Sequence, residues 1–103
     1  MSVLKISEEN FEEEVINSNQ TVIVDFYADW CGPCQMMSKV IDEIAEELDG
    51  QVKVGKVNTD DNFELAKKFE IMSIPTVMIF KNGNLEKTFI GLRDKKEILD
   101  AIE

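Results

Sequence analysis

Six of the seven consecutive residues from Thr21 to Tyr27 (TVIVDFY) carry β-branched or aromatic side chains, at both parities. A strand with one face in water alternates apolar with polar residues, so this one needs cover on both faces. It predicts a central strand with packed layers above and below. Asp25 is the residue out of place in it, because a buried carboxylate costs several kcal/mol unless it is paired or protonated. The strand runs directly into Ala28-Asp29-Trp30-Cys31-Gly32-Pro33-Cys34, which holds the only two cysteines of the chain. A disulfide between them would close so short a loop that it restrains the unfolded chain by only roughly 2 kcal/mol. Such a bond is a poor staple and is easily reduced. The pair reads as a dithiol that opens and closes in use.

The remaining chain supplies the layers. Val3 to Ile6 is a short edge strand. Ser7 is placed to cap a helix running to about Asn17, with Glu8 and Glu9 in its first turn and Phe11 and Val15 on one face. After Cys34, apolar positions at Met36, Met37, Val40, Ile41, Ile44, Ala45 and Leu48 mark one face of a helix that Asp49-Gly50 stops. Val52, Val54 and Lys56 share a parity on a strand ending near Asn58. Asp61-x-x-Glu64 has the form of a capping box before Leu65 and Phe69. Thr76 to Phe80 is a second doubly buried strand, Asn82-Gly83 a hairpin turn, and Leu85 to Ile90 the alternating return strand that Gly91 breaks. Ile98, Leu99 and Ile102 face inward from a last helix. The order is βαβαβ, then an antiparallel hairpin and a helix. A right-handed crossover puts helices on both faces of a mixed sheet, an α/β fold. The cysteines fall at the carboxyl end of a central strand, where such sheets place their sites.

Charge and composition narrow the function. With 103 residues, the chain is expected to be one domain (1–103) with a real core. The net charge is −10, and residues 1–50 hold 12 acidic groups against 2 basic ones. An acidic surface disfavours nucleic acids and anionic membranes. No apolar run approaches the roughly 18 residues that span a bilayer. The N-terminus lacks the build of a secretory signal, which favours the cytoplasm. Two cysteines and no histidine cannot complete a structural zinc site within one chain. A cluster bridging two chains has nothing in the sequence that asks for it, so no metal is expected and a monomer is the default.

At the start of a helix, unpaired N–H groups and the helix dipole stabilise a thiolate. Cys31 is therefore the attacking thiol, and Cys34, three residues on, the resolving one. Pro33 is tolerated in the first turn because the N–H it lacks has no intrahelical partner. Burial raises the pKa of Asp25 and suits it to take the Cys34 proton. The plainer role for Asp25 is as partner of Lys56, and the two are compatible, since Lys56 can tune it electrostatically. Ile74-Pro75 would by itself be a proline that begins a strand.

Trp30-Cys31-Gly32-Pro33-Cys34, Asp25, Lys56, Ile74-Pro75-Thr76, Phe80-Lys81-Asn82-Gly83 and Gly91 together resemble the thioredoxin family over essentially the whole chain. The resemblance implies a thioredoxin fold of about five strands and four helices, with Pro75 cis and facing the sulfurs. It implies a flat apolar surface of Trp30, Gly32, Pro33, Ile74, Pro75 and Gly91 that receives target proteins, with the Ile74 backbone pairing an extended segment. The function implied is a cytoplasmic protein-disulfide reductase, re-reduced by a thioredoxin reductase and holding no cofactor of its own. Departures from the family pattern are Gln35 in place of Lys or Arg, Lys39 where many members have proline, Tyr27, and Met72-Ser73. They bear on redox potential and partner preference. Two rivals are an oxidase or isomerase of the same fold, against which Gly-Pro between the cysteines argues, and a non-catalytic subunit lending its apolar surface to a complex.

Overall fold

The computed structural model describes residues 3–102. The strand that needed cover on both faces, β2 (Val22–Tyr27), is the middle of a five-stranded sheet. On one side it pairs in parallel with β3 (Lys53–Asn58), which pairs in parallel with the edge strand β1 (Val3–Lys5). On the other it runs antiparallel to β4 (Thr76–Lys81), followed by the antiparallel edge strand β5 (Asn84–Ile90). The order β1-β3-β2-β4-β5 makes the sheet mixed, as expected.

The two parities of β2 feed two cores. Val22, Val24 and Phe26 pack with Val57, Met78 and Phe80 beneath Phe11, Val15 and Leu65. Leu65 belongs to α2 (Phe63–Lys68), inserted between β3 and β4. Phe69, just past α2, lies 5.3 Å from the ring of Phe11 and 5.7 Å from that of Phe80. On the opposite face, Ile23 packs with Val54, Val77 and Ile79 beneath Met37, Ile41, Ile44 and Ala45 of α1 (Gly32–Glu47). Ile98 of α3 (Lys95–Ile102) completes that layer. Asp25 falls on the same parity as Ile23 and so lies under α1. Gly55 on β3 is required by packing, because a Cβ there would meet the Ile6 side chain.

Three local expectations changed. The first helix is a π-helical turn, Glu12–Ile16, with no side-chain cap at its start. The Ser7 carbonyl accepts the Phe11 amide at 2.9 Å, while the Ser7 amide donates to Asn10 Oδ1 at 2.8 Å. Lys53 Nζ, from β3, donates to both the carbonyl (2.9 Å) and Oε1 (3.0 Å) of Glu14. The Asn17 amide reaches back five residues to the Glu12 carbonyl, the wider step of a π-helical turn.

At α2 the capping box does not form. Asn62 is the N-cap and makes no side-chain cap bond. Glu8 Oε2, from the N-terminal segment, accepts the amides of Glu64 (2.8 Å) and Leu65 (3.2 Å). Asn62 returns the contact by accepting the Glu8 amide at 2.9 Å and donating to the Asn58 carbonyl at 2.9 Å. Glu8 thus serves a helix other than its own.

The hairpin follows its turn residues, with Asn82 at φ 52° and Gly83 at φ 81°. These two positive φ angles belong to the type I′ turn that Asn-Gly favours. The return strand departs from the expected alternation, since only Phe89 on β5 is buried. A register shift at Ile79/Phe80 and the edge position leave Leu85 exposed. Gly91 ends the strand at φ 90°.

Candidate active site

Cys31 ends the loop after β2 in an extended conformation (φ −92°, ψ 114°) and is the N-cap of α1. Its Sγ accepts the Cys34 amide at 3.2 Å, doing with sulfur what a Ser or Asp oxygen does at other helix starts. Pro33 sits in the first turn, where no amide is missed. One turn of helix sets the Cα atoms of Cys31 and Cys34 5.2 Å apart, and the two are joined as a disulfide. Both cysteines are buried, Cys34 (2% exposed) slightly deeper than Cys31 (5%).

Because β4 is antiparallel to β2, the start of β4 meets the end of β2. The Ile74–Pro75 peptide is cis there, and the Ile74 carbonyl oxygen lies 3.8 Å from Cys31 Sγ. The Pro75 carbonyl accepts the Gly91 amide at 2.8 Å, and Thr76 Oγ1 donates to the Ser73 carbonyl at 2.6 Å. Trp30 is 73% exposed, with Nε1 donating to Asp60 Oδ2 at 2.9 Å. Gly32 and Pro33 are exposed, Ile74 and Gly91 half-buried, and Pro75 buried. Of the six residues expected on the apolar surface, Pro75 therefore contributes from beneath. Met72, Ile90 and Leu92 flank these positions in the chain and are exposed, though sequence reasoning placed none of them on the apolar surface. An apolar residue beside a site residue on an exposed turn was the available signal.

Asp25 is fully buried, and neither carboxylate oxygen has a hydrogen-bond partner among the described residues. Burial raises its pKa to about 7; the Lys56 charge pulls it down and the Asp42 charge adds to the rise. Lys56 is its register partner across β2 and β3. The ammonium nevertheless donates to Ser38 Oγ at 2.7 Å and lies 4.5 Å from the centre of the Tyr27 ring. The expected Asp25–Lys56 pairing is thus one of charge without a hydrogen bond. Ser38 was missed by sequence reasoning; its position four residues after Cys34, on the same helix face, was the one available sign. A cleft of about 380 Å³ opens here, lined by Cys34, Ser38, Lys56 and Tyr27 among others.

Among the described residues, no group of three or more His, Cys, Asp and Glu side chains is placed to hold a metal ion, and no helix is long and apolar enough to cross a membrane. A buried acid, a capped sulfur and a second sulfur one turn away can exchange a disulfide and move one proton.

The thioredoxin family model matches residues 2–103. The chain belongs to the thioredoxin family. It is 50% identical over 102 residues to a thioredoxin of Pyropia yezoensis, covering 99% of this chain and 95% of that one. It is also 48% identical to the thioredoxin of Rickettsia felis, covering 94% of this chain and 92% of that one. The thioredoxin of Griffithsia pacifica is 48% identical over all 103 residues, 94% of its own length. Thioredoxin family members are thiol–disulfide oxidoreductases, and so is this chain, with Cys31 and Cys34 as its redox-active pair.

Proposed function

We propose that this thioredoxin-family protein is a protein-disulfide reductase, with Cys31 as attacking thiol, Cys34 as resolving thiol and Asp25 as the group that takes the Cys34 proton. The observation that carries the reading is the Cys34 amide donating to Cys31 Sγ at the head of α1. Once the pair is reduced, that N–H and the helix dipole favour a Cys31 thiolate. The thiolate attacks one sulfur of a target disulfide, forming a Cys31–target mixed disulfide and releasing the other target sulfur as thiolate. Cys34 gives its proton to Asp25 and attacks Cys31 Sγ. The Cys31–Cys34 disulfide forms, and the second target sulfur leaves. Two electrons pass from this dithiol to the target, and a reductase must return them.

An acid whose pKa lies near 7 can both accept and release a proton at neutral pH, which supports the assignment of Asp25. Lys56 tunes that acid by its charge. Trp30, Gly32, Pro33, Ile74, Pro75 and Gly91 receive the target, with the Ile74 carbonyl beside Cys31 Sγ available to an extended segment. The working unit in this reading is a monomer with a single domain of residues 1–103. The partners are a thioredoxin reductase and disulfide-containing proteins. A reductase works where thiols are kept reduced, which supports the cytoplasm.

The test is a pair of variants. Cys34→Ser is expected to accumulate a mixed disulfide with a protein target, and Cys31→Ser to form none and to reduce none. Reduction at the unaltered rate by Cys31→Ser would overturn the assignment.

A further inference from the structure

We propose that Ser38 is a positioning residue for proton transfer at this site: its hydroxyl holds the Lys56 ammonium against α1 and so keeps Lys56 from forming a direct ion pair with Asp25. The proposal rests on the reading of Asp25 given above and adds what governs it.

Asp25 and Lys56 are register neighbours on adjacent strands with side chains toward α1. An ammonium and a carboxylate so placed, in a region of low dielectric, attract strongly. Yet both Asp25 oxygens lack a hydrogen-bond partner among the described residues. The ammonium is held by two other groups, Ser38 Oγ at 2.7 Å and the face of the Tyr27 ring at 4.5 Å. Ser38 lies one turn beyond Cys34 on α1, and Cys34, Ser38 and Lys56 all line the one cleft. The tether therefore fixes Lys56 where its charge is felt by Asp25 but its protons are not shared with it. A direct ion pair would leave Asp25 a carboxylate too weakly basic to take a thiol proton.

Other charged groups surround the pair. Asp42, exposed on α1, opposes the ionisation of Asp25 by its charge. Lys39 of α1 and Asp29 after β2 line the cleft, and Lys5 of β1 is the register partner of Lys56 on its far side. On β4 the residue opposite Asp25 is Val77, which carries no charge. Among the described residues, Lys56 is the one ammonium in direct register with Asp25, so where its tether holds it sets how strongly that positive charge acts on the acid.

The experiment is a ¹³C carboxyl NMR titration of Asp25 in the oxidised, full-length protein, which reads the acid without relying on catalysis. Ser38→Ala is expected to lower the Asp25 midpoint by roughly one pH unit or more, as Lys56 moves onto the carboxylate. Ser38→Thr, which keeps the hydroxyl, is expected to restore it. In a Lys56→Met background, Ser38→Ala is expected to leave the midpoint where Lys56→Met alone puts it. An unchanged midpoint in Ser38→Ala, or an equal shift without Lys56, overturns the proposal. The pH profile of target reduction by Asp25→Asn separates the two readings. If that variant keeps the wild-type profile, the proton role of Asp25 fails, whatever Ser38 does to its titration.

Discussion

The Glu8 carboxylate sits on the N-terminus of α2 and accepts the Glu64 amide at 2.8 Å across 56 residues of sequence. With the Leu65 amide also bonded to it, one side chain satisfies two of the orphan donors at that helix end. Glu8→Ala is expected to cost about 1 kcal/mol, the usual size of a lost cap. Urea denaturation should show a lower midpoint with an unchanged slope. The redox chemistry should be unaffected, because neither amide touches the cysteines.

Asp25 makes the stability of the protein depend on pH. Its pKa stands near 7 in the folded chain against 3.8 for an ordinary aspartate. Below about pH 4 both states hold the proton and folding is unaffected. Between that point and about pH 7 the unfolded chain releases a proton that the folded chain keeps, so stability falls as pH rises. Above pH 7 the full loss is in place, on the order of 4 kcal/mol. Denaturation of wild type and Asp25→Asn at pH 4.5 and pH 8 (about) should show the variant gaining on the wild type at the higher pH. An equal difference at both values would show that Asp25 is not held protonated by the fold.

Gly83 and Gly50 separate strain from collision. Both have positive φ, 81° and 83°, but only at Gly83 would a Cβ strike something, the Ile16 carbonyl at the end of the π-helical turn. Gly50→Ala is expected to cost about 1 kcal/mol from backbone strain alone. Gly83→Ala should cost at least roughly twice that, since backbone must also move. Thermal melts of the two variants, side by side, check the ranking.

Trp30 is the largest exposed apolar group beside the sulfurs, and its indole is fixed by Asp60. Trp30→Ala is expected to raise KM for a protein target about tenfold, the effect of losing an interface anchor. The rate at saturation should hold. Steady-state reduction of a protein disulfide gives both parameters. A matching loss in kcat would show that the ring acts in the chemistry and not in docking.

The readable parts of this fold were those whose cause is local. Apolar residues on both parities of β2 announced a covered strand, and Asn82-Gly83 announced its turn. The Gly-Pro pair between the cysteines, after a strand and before an amphipathic helix, announced the site. What escaped was set by contacts from far along the chain. Nothing near Glu14 tells that Lys53, from β3, will occupy its carbonyl. Nothing near Asp61 tells that Glu8 will take the α2 amides in place of a capping box. The Ser38–Lys56 bond is of the same kind, a helix residue and a strand residue that meet only when α1 lies on the sheet. Cis Pro75 was legible only through resemblance to the thioredoxin family.

Cys31 Sγ and the Ile74 carbonyl are 43 positions apart in sequence, and they meet because β4 runs against β2. During synthesis the two thiols leave the ribosome well before the segment that roofs them. Until β4 is made and docked, the pair has its helix but not its facing wall. A polypeptide cut anywhere between α1 and β4 would therefore keep the cysteines and lose the Ile74 carbonyl that lies beside Cys31 Sγ.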